Sequence, residues 1–209
     1  MLCAILSALL FLQLLTVVVA LLSTQAYQGR VLTQHAQEVI RQMVASAESD
    51  LKRQLAPAQN TTTLLLDQLD AGIISLSNPD QLERTLLTLL RGQGQLSSIF
   101  LAGRDGGFLF VQRRPEGYFR KWIHFVGGVR QVEVLTRSPD LSLLERKLDP
   151  LDRFSPQSRP WYSLALSRSG GGWTAPYVFH TSRHLGITAA RAHRTIGGKL
   201  LEVIGGHWA

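Results

Sequence analysis

The feature that most constrains this chain is its uncharged N-terminal run. Residues 2–22 contain no charged side chain, and their only polar members are Ser7, Gln13 and Thr16. A helix of about 20 apolar residues crosses a hydrocarbon core of roughly 30 Å, whereas a cleavable signal peptide has an apolar region of only about 7–15 residues. The sequence therefore predicts an uncleaved transmembrane anchor over residues 1–25, whose orientation is not fixed by flanking charge.

The charge pattern limits the classes of partner. The formal net charge is +7, but the Arg residues are scattered along the chain and form no run or helical stripe. Scattered Arg argues against nucleic-acid binding and suits the docking of a carboxylate or another small anion. The single cysteine, Cys3, permits neither an internal disulfide nor a cysteine-based zinc site.

Helical periodicity follows the apolar run. Over residues 31–56 apolar side chains recur every three or four residues, and Pro57 is expected to end this stalk helix. The stripe suits parallel pairing with a second copy, and it equally suits packing on its own domain. A second helix is predicted over residues 62–76. A third begins at Asn78, which can cap it, and stops at Gly92.

After Gly94 the pattern changes to short strands separated by turns. Strands are predicted over residues 98–102, 108–112, 118–125, 129–135, 177–180, 186–193 and 200–204. Residues 139–148 are expected to form a short helix or a loop, residues 159–166 a short helix, and residues 170–172 a loop. The predicted fold class is α+β: the anchor helix, the stalk helix, then an antiparallel sheet with flanking helices.

No arrangement of residues predicts catalysis. The sequence has no Walker-type loop, nucleophile elbow or HExxH motif. His180, His184 and His193 flank turns without a nearby carboxylate, so they are interpreted as loop histidines, and Asp149 and Asp152 as loop caps. We therefore expect no enzyme, no metal and no cofactor.

The segment with the richest chemistry is residues 154–162, Phe-Ser-Pro-Gln-Ser-Arg-Pro-Trp-Tyr. Arg159 offers a planar fork of donors to a carboxylate, while Trp161 and Tyr162 offer apolar walls with one donor each. Together they suit a small anionic or zwitterionic ligand. The alternative is structural: Trp161 belongs to the core and Arg159 closes a salt bridge.

Four stretches in order carry a family resemblance. They are Ser-Arg-Pro-Trp-Tyr at 158–162, Gly-Trp-Thr-Ala-Pro-Tyr-Val-Phe at 172–179, Gly-Ile-Thr-Ala-Ala-Arg at 186–191, and Gly-Lys-Leu-Leu-Glu-Val-Ile-Gly-Gly at 198–206. Over roughly residues 30–207 the chain resembles the Cache family, in particular the membrane-distal module of a double Cache domain. The resemblance implies a PAS-like extracytoplasmic sensor of bacterial chemoreceptors, histidine kinases or cyclic-nucleotide enzymes.

The resemblance also implies a ligand site. In the amino-acid-binding subset, the residues matching Arg159, Trp161 and Tyr162 contact the ligand carboxylate, and Tyr177 matches a pocket tyrosine. Three positions depart from that subset: Phe154 replaces a tyrosine, and Phe179 and His207 replace acids that hold the ammonium group. The resemblance therefore favours an anionic or neutral ligand over an amino acid.

These inferences define the expected organisation. Residues 1–25 form the anchor in the inner membrane, residues 26–94 the stalk and flanking helices, and residues 95–209 the distal module in the periplasm or extracellular space, truncated before a proximal module. The predicted function is that of a receptor's ligand-sensing domain, with a small-molecule ligand, the membrane and a second copy at the stalk as partners. The alternative is a structural or dimerisation module with a vestigial pocket.

Overall fold

The structure is a computed structural model that describes the backbone of residues 2–208 and the side chains of residues 9–20 and 37–208. It divides into two compact units, residues 1–52 and residues 53–209. Across the described side chains, no helical stretch is both long and apolar enough to span a bilayer. The side chains of residues 2–8 and 21–22, which belong to the predicted membrane helix, lie outside this described part.

Helices precede the sheet and interrupt it once. Their bounds are Leu2–Asp70 (α1), Pro79–Gly92 (α2), Pro156–Ser158 (a single 3₁₀ turn) and Pro160–Ser167 (α3). The prediction that Pro57 ends the stalk helix is wrong, because α1 continues to Asp70. An internal proline costs about 3 kcal/mol, and the burial of Ala58, Leu65 and Leu69 after it offsets that cost.

The junction between α1 and α2 follows helix-capping rules. Gly72 has φ +67°, its N–H donates to Leu69, and the N–H of Ile73 donates to Gln68, which is a Schellman ending. α1 therefore ends at Asp70 and not at the predicted residue 76. The predicted cap of α2 is confirmed, since the Asn78 side chain accepts from the N–H of Gln81.

The sheet is antiparallel throughout and has nine strands in the described chain. Their bounds are Leu96–Gly103 (β1), Phe108–Arg114 (β2), Gly117–Val126 (β3), Val129–Arg137 (β4), Leu143–Leu148 (β5), Gly172–Trp173 (β6), Tyr177–Val178 (β7), Leu185–Arg194 (β8) and Leu200–Trp208 (β9). The spatial order is β5-β4-β3-β2-β1-β9-β8-β6, with β7 paired to β8. The predicted α+β class with an antiparallel sheet is confirmed.

Two expectations in this region are wrong. Residues 143–148 form the edge strand β5, where a helix or loop was predicted, and Gly172 belongs to β6, where a loop was predicted. Every residue of β5 is exposed, so no buried side chain marked it as a strand. Backbone pairing with the open edge of β4 decides its conformation.

The two faces of the sheet have different coverings. On one face the end of α1 and the buried side of α2, including Leu82, Leu86 and Leu90, pack against aliphatic residues of the central strands. On the other face α3 and the segment before it cover an aromatic core that contains Phe100, Phe108 and Trp161. The candidate site lies within this aromatic face.

Candidate functional site

A narrow cavity opens on the aromatic face of the sheet. The volume open to the centre of a water molecule is about 20 Å³, which is room for on the order of one water. Its lining residues are Phe108, Phe110, Gln112, Phe154, Arg159, Trp161, Tyr177, Phe179, His180, Thr181, Ser182 and His207. Six of the seven residues predicted for the ligand site lie in this set. The six come from three separate segments of the chain, around residues 154–161, 177–179 and 207.

The start of α3 positions the two leading candidates. Arg159 occupies the N-cap position with an extended backbone, and Pro160 takes the first helical turn, where its missing N–H is harmless. Trp161 then turns into the core with 2% of its surface exposed. Its ring centre lies 4.3 Å from that of Phe100. Trp161 is thus both a core residue and a wall of the cavity.

Arg159 is half-buried at the edge of the cavity. Within residues 9–20 and 37–208, no carboxylate lies within ion-pairing distance of its guanidinium, so the structural alternative of a salt bridge does not hold for the described chain. The guanidinium carbon of Arg159, Cζ, lies 5.9 Å from the ring centre of Tyr177. A cation held beside an aromatic ring without a counter-ion can accept a ligand anion.

A hydrogen-bonded relay crosses the floor of the cavity. The Tyr177 hydroxyl lies 2.7 Å from Oγ1 of Thr188, and that oxygen lies 2.8 Å from Nδ1 of His207. Burial, followed by the charge of Arg159, lowers the pKa of His207 to about 3. Burial raises the pKa of Tyr177 to about 12. Both groups are therefore neutral at physiological pH, and Arg159 supplies the positive charge.

Aromatic rings enclose this polar floor. Phe179 stacks on His207 with ring centres 4.1 Å apart and planes 17° from parallel, and Tyr177 meets Phe179 edge-on at 5.1 Å. Phe154 lies 5.1 Å from the ring of His180. Burial, then the charges of Lys121 and Arg159, lowers the pKa of His180. The walls thus suit an apolar ligand body next to one anionic group.

An ion-pair clamp fixes the segment that carries Phe154. Asp152 accepts from Lys121 at 2.5 Å and from Arg130 at 2.9 Å, while a second nitrogen of Arg130 donates to the carbonyl of Asp152. Burial opposes ionisation of Asp152, but its bonds to Lys121 and Arg130 outweigh that cost and lower its pKa. Asp152 caps its loop as the sequence predicts, since its carboxylate also accepts from the N–H of Phe154 at 2.9 Å. Its ion pairs in addition tie the cavity wall to the sheet.

The seventh predicted residue, Tyr162, does not line the cavity. It is buried, and its ring meets that of Trp161 edge-on at 5.8 Å. Burial raises the pKa of its hydroxyl, and the charges of Arg104 and Asp105, in the turn between β1 and β2, act on it to a smaller extent.

Sequence reasoning missed several residues of the site. On β2, Phe108, Phe110 and Gln112 line the cavity, and their alternate spacing was a signal that they share one face. Thr188 carried no such signal, because its position beside His207 depends on the register of β8 against β9.

The candidate metal ligands are not clustered. Among the described side chains, no group of three or more His, Cys, Asp or Glu is arranged to hold a metal ion. His180 lies at the cavity, and His184 is exposed in the turn beyond it. His193 belongs to β8 and does not line the cavity. Its Nε2 lies 2.9 Å from a carboxylate oxygen of Asp70 in α1, and its Nδ1 lies 2.5 Å from a carboxylate oxygen of Glu202 in β9.

Comparison with known proteins gives similarity only at the level of structure. No protein-family model matches the sequence, and no curated protein sequence matches it. The fold is similar to the ligand-binding domain of the Campylobacter jejuni chemoreceptor Tlp3, solved with 4-methylisoleucine: 14% identity, TM-score 0.51, covering 78% of this chain and 53% of that one.

Other solved structures are similar at lower TM-scores. The ligand-binding domain of the Pseudomonas aeruginosa PAO1 amino acid chemoreceptor PctC, solved with GABA, has 15% identity and a TM-score of 0.48, covering 82% of this chain and 60% of that one. That of Pseudomonas fluorescens CtaA, solved with L-isoleucine, has 20% identity and a TM-score of 0.37, covering 79% and 59%. This chain spans between half and two thirds of the length of these domains. The likeness to the Tlp3 domain supports the predicted α+β fold with an antiparallel sheet.

Proposed function

We propose that this chain is the extracytoplasmic ligand-sensing part of a membrane-bound signal-transduction receptor, and that its cavity binds a small organic anion. The observation that carries the proposal is Arg159, a half-buried cation at the cavity with no carboxylate partner among the described residues. A ligand carboxylate would supply the missing partner through charge-assisted hydrogen bonds, which are about twice as strong as neutral ones.

The aromatic walls complete the proposed site. Trp161, Phe179 and Phe154 would enclose the apolar body of the ligand, as in most small-molecule pockets. Because the cavity holds on the order of one water, a ligand of several atoms requires the rim at Thr181 and Ser182 to move outward. Closure of that rim over the ligand is the proposed sensing movement.

The similar chemoreceptor domains named above were solved with amino acids. None of the residues that line this cavity is an Asp or a Glu. An amino-acid ammonium group would therefore lose its hydration without gaining a counter-charge, which is unfavourable. Our proposal for this chain is an acid without an ammonium group.

The membrane and a second copy are part of the proposal. Residues 2–22 would anchor the chain in the inner membrane, since they are uncharged and the described side chains of residues 9–20 are exposed. The domain would then face the periplasm or the extracellular space. Val39, Met43 and Leu51 are apolar, exposed and spaced along one side of α1, which suits pairing with the same helix of a second chain.

The test is a ligand screen on the full chain in mild detergent, using thermal shift and then calorimetry against organic acids, amino acids, amines and purines. We expect carboxylates to stabilise the protein, and Arg159→Gln to weaken their binding by roughly tenfold or more. Arg153→Gln is the matched control, because Arg153 is exposed on the same loop. Carboxylate binding that survives Arg159→Gln would overturn the proposed site.

The narrowness of the cavity favours one alternative: a structural or dimerisation module with a vestigial pocket. In that case no ligand class would stabilise a chain that circular dichroism shows to be folded. Substitution of Val39 and Met43 by Glu would then dissociate the dimer while leaving the melting temperature of residues 53–209 nearly unchanged.

A further inference from the structure

Four polar residues form a row across the sheet, and two of them, Gln112 and His207, line the cavity. Strand register pairs Ser98 of β1 with Gln112 of β2 on one side and with His207 of β9 on the other. His207 is in turn paired with Thr188 of β8. Directly paired residues point to the same face of a sheet, so the four side chains make one continuous polar row.

This row is buried and unlike its neighbours. Gln112 and His207 are 7% and 8% exposed, and Ser98 and Thr188 are fully covered. The next row on the same face is apolar: Phe110, Phe100, Gly205 and Ala190. Burying polar groups is costly unless they are hydrogen-bonded, so a polar row in an aromatic core requires an explanation.

The row has unused hydrogen-bonding capacity. Oγ of Ser98 is buried and has no hydrogen-bond partner in the described chain. His207 uses Nδ1 for Thr188, and no described atom bonds its Nε2. The amide oxygen of Gln112 accepts from Arg114 at 3.4 Å, and its amide nitrogen has no partner among the described residues. Gln112 and His207 both line the cavity on either side of Ser98.

The row is also neutral. Its members include no Asp, Glu, Lys or Arg, and His207 stays unprotonated because burial lowers its pKa to about 3. The positive charge at the cavity is held by Arg159, outside the row. The two parts of the site therefore differ in chemistry: one cationic position and one set of uncharged donors and acceptors.

We propose that the row Gln112–Ser98–His207–Thr188 is a second subsite, which binds an uncharged hydrogen-bonding group of the ligand, a hydroxyl or a carbonyl oxygen, through its two members that line the cavity, Gln112 and His207. This inference rests on the proposed function, in which Arg159 holds the carboxylate. The preferred ligand is then a hydroxy or oxo carboxylic acid with an apolar body. It binds more tightly than the acid that lacks the oxygen, and more tightly than the amino acid of the same skeleton.

The test is calorimetry on the full chain in detergent with two matched series of ligands. One series is 4-methylpentanoate with its 2-hydroxy, 2-oxo and 2-amino derivatives, and the other is 3-phenylpropanoate with the same derivatives. We expect the hydroxy or oxo acid to bind about tenfold more tightly than the unsubstituted acid, and the amino acid to bind most weakly.

Two variants separate the row from the carboxylate anchor. Gln112→Leu, which removes the amide that lines the cavity, should remove most of the advantage of the hydroxy acid and leave the affinity of the unsubstituted acid nearly unchanged. His207→Asp adds the negative charge that the row lacks, so it should shift the preference toward the amino acid. If this buried carboxylate prevents folding, the ligand series on the natural chain and on Gln112→Leu still decides the question.

The outcomes distinguish this inference from the proposed function. If carboxylates bind through Arg159 but the hydroxy, oxo and unsubstituted acids bind equally, the second subsite is refuted and the sensor proposal stands. The second subsite is also refuted if the amino acid binds more tightly than the hydroxy and oxo acids of the same skeleton. If no carboxylate of either series binds, both proposals fail together.

Discussion

Oγ1 of Thr188 lies 2.8 Å from Nδ1 of His207, in the interior of the sheet's aromatic face. The same oxygen also meets the hydroxyl of Tyr177. One side chain on β8 therefore orients a ring from β9 and a ring from β7. This contact decides which edge of His207 faces the cavity, because Nδ1 is occupied and the opposite edge is not.

Removing this hydroxyl should destabilise the fold. Thr188→Val keeps the shape of the side chain but leaves Nδ1 of His207 and the Tyr177 hydroxyl without their partner. We expect a loss of about 1–3 kcal/mol in the free energy of unfolding, measured by urea denaturation. Thr88→Val is the control, since Thr88 is exposed on α2 and should change stability by no more than about 0.5 kcal/mol. Equal effects of the two variants would contradict the relay.

Stability should fall in mild acid because of His207. The pKa of this residue is about 3 in the folded protein, against 6.5 when unperturbed. Above pH 6.5 neither state is protonated, so the residue contributes no pH dependence. Between pH 6.5 and 3 only the unfolded chain takes up the proton. The free energy of unfolding therefore decreases as the pH is lowered from 6.5 to 3. The decrease is on the order of 1.4 kcal/mol for each unit by which the pKa of His207 differs between the unfolded and the folded state.

The measurement is the melting temperature of the natural chain and of His207→Gln between pH 8 and pH 4. The glutamine keeps a neutral polar group but cannot titrate, so the variant should lose less stability on acidification. Parallel curves for the two proteins would show that His207 does not remain neutral in the folded state.

Gly205, which lies beneath the aromatic core, should not tolerate a side chain without loss of stability. A Cβ built on Gly205 would lie 2.2 Å from Cζ of Phe100, which rests directly on this position. Gly205→Ala must displace the Phe100 ring, and with it Trp161. We expect a destabilisation of about 1–3 kcal/mol, together with weaker ligand binding.

The neighbouring Gly206 provides the control for this substitution. A Cβ there meets the flexible end of Leu96 at 3.3 Å, on the other face of the sheet. Gly206→Ala should therefore cost less than Gly205→Ala in urea denaturation and leave the cavity unchanged. A larger cost at Gly206 would contradict the packing described for Phe100.

The clamp at Asp152 should be needed for stability and for the shape of the cavity. Asp152→Asn removes the charge that pairs with Lys121, whose side chain is only 8% exposed. Breaking a buried pair from one side typically costs about 3–5 kcal/mol, and the segment bearing Phe154 should become more susceptible to proteolysis. Asp149→Asn is the control on the same loop. Unchanged stability and unchanged proteolysis of Asp152→Asn would show that the clamp is not needed.

Local patterns in the sequence determined the elements that rest on local physics. Asn78 with Pro79 specified the start of α2, since a helix cap is made within one turn of chain. The turn at Asp105 likewise depends on its own neighbours, because its carboxylate accepts from the N–H of Gly107. The segment around Arg159 and Trp161 was identified from residue types alone, and the structure places both residues at the cavity.

Only the tertiary structure decided the features that depend on distant partners. The helix α1 continues past Pro57 because burial of Leu65 and Leu69 against the sheet outweighs a local signal to stop. The strand β5 exists because β4 has an open edge. The polar row across the cavity floor depends on the register of four strands, and register is a long-range property that a single strand's sequence does not encode.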